Sequence, residues 1–199
     1  MNPLPSPGEI TRSLSGAWRL FLNRADAMRL FDVSLGGFWR SFAAIILVLP
    51  LSVAVAMAER AARLAQVPTA TPFSEPAFWS AWLVGLTVDW VTFPALLALG
   101  AGFLGVGRTY TAFVVARNWG GVIETVPQAA WAALVVAGLL SSEIAEDLYL
   151  ALLIVVLRYH YLIVRHALQA PVALAIALVI ADFLLSLLIG RGVDLAFGI

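Results

Sequence analysis

From Ser41 to Ala58 the chain runs without a charged residue, and further long apolar stretches follow before Ile199. A run of this length, wound as a helix, is enough to cross roughly 30 Å of hydrocarbon. Inside lipid a segment must pair its own backbone N–H and C=O groups, so such stretches dictate helices. The expected fold class is therefore all-α, an integral membrane helical bundle. Composition points the same way. Hydrophobic residues make up 62% of the chain and charged residues 12%, against about a quarter charged in an ordinary soluble domain. The formal net charge is zero, so there is no basic surface of the kind that holds nucleic acid. Cysteine is absent, which excludes disulfides, thiolate metal sites and cysteine nucleophiles.

Residues 1–40 read as a cytoplasmic and interfacial amphipathic segment. In "SPGEITRSLSGAWRLFLNR", Ser6, Pro7 and Glu9 form a capping-box start with Pro at the first helical position. Ile10, Leu14, Ala17, Trp18 and Phe21 recur at helical spacing, with Arg12 and Arg19 off that face. This face is expected either to lie along the membrane surface or to pack on the end of the bundle. "FDVSLGGFWRSF" continues at the interface: Gly36 and Gly37 permit a bend, and Trp39 with Arg40 marks the headgroup level.

Residues 41–199 are expected to form a five-helix transmembrane domain. The first span covers about 41–58 with a kink at Pro50, and the loop holding Pro68, Pro72 and Pro76 is expected to be irregular. The second covers about 77–107 and bends at Pro94, and the third, about 109–140, contains Arg117, Glu124 and Pro127. Ser142 is expected to cap the fourth span, about 144–168, where Glu143, Glu146 and Asp147 suit the positive end of the helix dipole. Pro171 starts the fifth, which continues to about Gly190. Five arginines precede the first span, whereas Arg60, Arg63 and Arg191 on the other side stand among acidic residues. The positive-inside rule then puts the N-terminus in the cytoplasm and the C-terminus outside. Every basic residue is Arg. With abundant Ala, Leu and Val this is the usage associated with GC-rich bacterial genomes, and the expected location is the bacterial inner membrane, with the C-terminus periplasmic.

Few motifs carry chemistry. "GAGFLG", with Gly100, Gly102 and Gly105, matches the letters of a dinucleotide fingerprint, but that fingerprint needs a strand before it and a helix after it. Read as part of a hydrophobic helix, these glycines let neighbouring helices approach. His160 and His166 lie six residues apart, on different faces of a helix, and are expected to be packed or interfacial. No G-x-S-x-G, H-E-x-x-H or P-loop pattern occurs. No enzyme activity and no cofactor or metal are expected.

The remaining features are ionisable residues inside apolar segments, which in membranes pair with one another or mark a functional site. They are Asp89, Arg117, Glu124, Arg158 and Asp182. With Gln128 they constitute the expected intramembrane polar network. Arg117, Gly121, Glu124, Gln128 and Trp131 share one helical stripe that must face protein or water. Arg158 is expected to pair with Asp182 on the following helix, or with Asp89. The network either fixes helix register or lines a polar pathway.

The layout of a cytoplasmic N-terminal segment, the "GFWRSF" approach and five spans resembles the Yip1-like family of small membrane proteins. The D-L-Y-G-P signature of its eukaryotic members is absent before the first span, and "DLY" stands instead at Asp147–Tyr149. The resemblance implies a non-enzymatic organising or accessory component that works through partners. The alternative is a small secondary transporter or ion-conducting protein that uses the polar network. Beyond the lipid bilayer, Gly-rich and Ala-rich faces suit association with a membrane-protein partner or a second copy.

Overall fold

The computed structural model describes residues 4–24, 26–66 and 73–199. The loop with Pro68 and Pro72 lies outside the described residues. Within them the chain is all helical, without a strand. Helix α1 spans Pro7–Phe21, and its N-terminus is capped by the Ser6 hydroxyl, which accepts from the Glu9 N–H at 3.2 Å. A 3₁₀ turn, Ala27–Leu30, leads to the short α2, Leu35–Ser41. A second such turn, Phe42–Ala44, joins α2 to α3, Ile45–Gln66, and 35–65 is one continuous apolar helical segment. Then follow α4 (Glu75–Gly100), α5 (Tyr110–Val136), α6 (Ser142–Ala167) and α7 (Val172–Phe197).

Several boundaries depart from expectation. Ser141, not Ser142, caps α6, because its hydroxyl accepts from Ile144 N–H. Pro76 belongs to the first turn of α4, where its missing N–H costs nothing. The glycine-rich run closes α4 instead of continuing it: Gly105 takes the left-handed φ of +71° and Val106 N–H bonds back to Ala101 O at 2.9 Å. Only glycine adopts that conformation without strain. Helix α7 runs past Gly190 and stops at Gly198, again left-handed.

The centre of the bundle is α5. It packs against α3, α6, α1 and α2, and the runs Phe113–Ala116 and Asn118–Val122 are buried. Gly120 and Gly121 do not divide it. A Cβ on Gly120 would lie 2.8 Å from Ile163, and one on Gly121 would lie 3.2 Å from the Trp90 ring. Bare backbone at these two positions lets α6 and Trp90 press onto α5. Helices α4 and α7 pair with each other and leave large apolar side chains such as Leu99 and Leu188 exposed.

Four helical segments among the described residues are long and apolar enough to cross a membrane: 35–65, 75–100, 142–167 and 172–197. The chain is thus compatible with a multi-pass membrane protein. Helix α5, at 27 residues, has the length but not the composition. Arg117, Asn118, Glu124 and Gln128 lower its hydropathy, and central packing is what shelters them.

Helix α1 docks on α5 and α6, as in the packing alternative: of its apolar face Ala17 is buried and Ile10, Leu14 and Phe21 pack part-buried against the core. Its buried residues are Glu9, Ser13, Gly16, Ala17 and Leu20, whereas Trp18 is half exposed. Small residues win this face because they permit close approach: a Cβ on Gly16 would meet the Phe31 ring at 3.1 Å. Burial of Glu9 is offset by Arg40 of α2, whose Nε donates to both of its carboxylate oxygens at 3.0 and 2.9 Å. The same guanidinium donates from Nη2 to Asp32 at 2.6 Å.

Candidate functional site

Four ionisable side chains from three helices form a continuous, mostly part-buried chain. Arg117 of α5 donates from Nη2 to Asp182 Oδ1 of α7 at 3.2 Å. The other Asp182 oxygen lies 3.3 Å from His160 Nδ1 of α6, and His160 Nε2 lies 2.8 Å from Glu124 Oε2, back on α5. Arg117 is further held by the Trp90 carbonyl, to which Nη1 donates at 3.4 Å, and by the Phe93 ring, whose centroid is 5.9 Å from the guanidinium carbon. Pro94 explains the free carbonyl. Lacking an N–H, it cannot supply the helical donor that Trp90 O would otherwise have.

An ionised carboxylate only accepts, and a neutral imidazole donates from one nitrogen alone. With the ring doubly protonated, two positive and two negative charges balance within the cluster. The cavity beside Arg117, His160 and Asp182 is about 10 Å³, at the lower edge of what one water requires.

Of the six residues expected to form the polar network, the structure joins Arg117, Glu124 and Asp182 and separates the other three. Asp89 accepts from Ser186 Oγ at 2.6 Å, within the α4–α7 pair. Gln128 lines a separate cavity of about 90 Å³ with Trp131 and Tyr149. Arg158 pairs with neither Asp182 nor Asp89. It sits on the exposed side of α6 and donates from Nη1 to the Phe21 carbonyl at 3.2 Å. Rotation of the helix is the reason, since residues 158 and 160 are about 200° apart around the axis and cannot both face inward. Phe21 ends α1, and its carbonyl is among those a helix leaves without a donor, where a cation is favoured.

His160 is the member of the cluster that the apolar pattern did not single out. The signal lay in the period of α6: Val156, Tyr159, His160 and Ile163 share a face, and the aromatic Tyr159 marks it as the inner one. Tyr159 is fully buried, and its hydroxyl donates to Ala17 O of α1 at 2.8 Å.

Glu124 also opens outward. Between α1, α5 and α6 lies an apolar groove of about 440 Å³, walled by Trp18, Phe21, Ile123, Pro127 and Tyr159, with Glu124 as its carboxylate. A second charged contact ties the far ends of the bundle, where Arg63 of α3 bridges Glu59 and Asp194 of α7. No family model matches the chain, and no curated protein or solved structure is significantly similar to it.

Proposed function

We propose that the protein is a non-enzymatic, multi-pass membrane protein of Yip1-like layout that acts as an organising or accessory component of the bacterial inner membrane through protein partners. In this reading α5 crosses the bilayer with the four apolar segments, giving five spans, and α1 and α2 lie on the cytoplasmic side against the bundle. The arginines before the first span support a cytoplasmic N-terminus and a periplasmic C-terminus. The observation that carries the reading is the closed charge cluster. Arg117, Asp182, His160 and Glu124 pair with one another across three helices beside a cavity of only about 10 Å³, with Arg117 Nε left buried and unpartnered. A cluster of this kind supports a role in holding α5, α6 and α7 in register.

Affinity purification of the full chain in mild detergent tests this. A stable stoichiometric protein partner is expected, and repeated recovery of the chain alone counts against the proposal. A periplasm-dependent reporter fused after Ile199 is expected to be active and one fused after Gly107 silent; the opposite pattern overturns the five-span arrangement.

A second reading rests on one specific observation, that Glu124 both contacts His160 and lines the outer groove. It makes the protein a proton-linked small-molecule transporter. Proton flux in proteoliposomes that disappears in Asp182→Asn, with thermal stability retained, supports it.

A further inference from the structure

We infer that the groove between α1, α5 and α6 seats one acyl chain of an anionic phospholipid whose phosphodiester rests on Arg158 at the groove's edge. The inference rests on the membrane reading of the bundle. At about 440 Å³ the groove falls within the ~300–1,000 Å³ of small-molecule sites. Its wall is almost wholly apolar, and Val126 and Val155 on that wall are exposed on the outside of the bundle. In a bilayer such a groove takes up an acyl chain, but lipid tails are as apolar as the wall and select no head group. Selection therefore falls to charge. Glu124 reaches the groove, and its charge is balanced within the cluster with Arg117, His160 and Asp182.

The charge left over at the edge belongs to Arg158. It stands three residues after Val155, is exposed, and donates from Nη1 to the neutral carbonyl of Phe21. Among the described residues no carboxylate pairs with it, and its Nε and Nη2 have no hydrogen-bond partner. That open edge of the guanidinium matches two oxygens of a phosphodiester. Arg24, just past the end of α1, is a second exposed cation. The groove also has a direction. Phe21 meets Tyr159 edge-on at 5.3 Å, and in the five-span reading this α1 end is the cytoplasmic one. The head then lies at the level of α1, and the chain runs from Tyr159 toward Leu152, about 10 Å deeper along α6. A zwitterionic lipid brings its own cation to Arg158 and gains less from it.

The test uses the full chain in phosphatidylcholine nanodiscs doped with one of two photolipids, phosphatidylglycerol or phosphatidylcholine, each with a diazirine in the same acyl chain. Labelled peptides are located by mass spectrometry. Phosphatidylglycerol is expected to label the groove segments of α5 and α6 about fivefold more than phosphatidylcholine, the difference one basic residue makes to an anionic lipid. Arg158→Gln should bring the two lipids level with the unfolding temperature close to the parent's, and Arg158→Lys should keep part of the preference. Val126→Trp, at a half-exposed position of the wall, should abolish groove labelling by both. Equal labelling by the two lipids in the parent, or a preference that survives Arg158→Gln, overturns the inference. So does a groove that neither lipid labels while both label the outer faces of α4 and α7. If those faces are unlabelled too, the membrane reading itself fails and the inference with it.

Discussion

Arg158 donates to the main-chain carbonyl of Phe21, and so a charge in the middle of an apolar helix closes the C-terminus of the first helix of the chain. The contact is exposed and its acceptor is neutral. Arg158→Gln is therefore expected to lower stability by less than about 1 kcal/mol. Arg117→Leu or Asp182→Leu leaves a buried charge unpaired and is expected to cost about 3–5 kcal/mol, much of it recovered in the double variant. Denaturant unfolding in mild detergent measures the cycle. Arg158→Leu combined with Asp182→Leu should be additive to within about 0.5 kcal/mol.

Tyr159→Phe removes the hydroxyl that holds Ala17 O and leaves that carbonyl without the tyrosine donor. A loss of about 1–3 kcal/mol is expected. Because the bond joins α1 to α6, amide hydrogen exchange should rise in Pro7–Phe21 before it rises in α5. Uniform exchange throughout the chain would contradict the docking described above.

Two glycines are expected to respond in opposite directions. Gly192 in α7 has open space where a Cβ would stand, so Gly192→Ala should stabilise by about 0.5–1 kcal/mol through helix propensity. Gly37 faces the backbone carbonyl of Asp32 so closely that a Cβ would collide with it. Gly37→Ala should destabilise despite the same gain in propensity, as thermal unfolding of the two variants can show.

Asp32 contributes a pH dependence outside the spans. Hydrogen bonds from Ser34, including its N–H at 3.0 Å, and the Arg40 guanidinium hold its carboxyl below the usual value against the opposing effect of burial. A depressed carboxylate stabilises the fold above its unfolded value of about 3.9, and the contribution is lost as pH falls through the folded value. Asp32→Asn is accordingly expected to flatten the decline in unfolding temperature on the acid side of about pH 4.

Helices long enough to span, the Ser6 cap and the polar stripe on α5 were all legible in the residues, because each is a local pattern of period or cap chemistry. Which charge meets which was not. Depth along a helix can be counted from the residues, but rotation about the axis decides partners. That rotation in α6 follows from Tyr159 and Ile163 fitting against Gly120, a contact between distant segments. Likewise the buried face of α1 follows from close approach, for which Ser13, Gly16 and Ala17 matter more than Trp18.

The position of α5 at the centre has a consequence for how the chain is made. Synthesis runs from the N-terminus, so Arg117 and Glu124 leave the ribosome before His160 and Asp182 exist to balance them. The one long helix without a span-grade apolar stretch among the described residues thus emerges with its charges unmatched, and only α1 to α4 precede it. Completion of α7 is the event that supplies the last partner of the α5 charges, and a chain cut short before Asp182 should hand α5 to quality-control proteases.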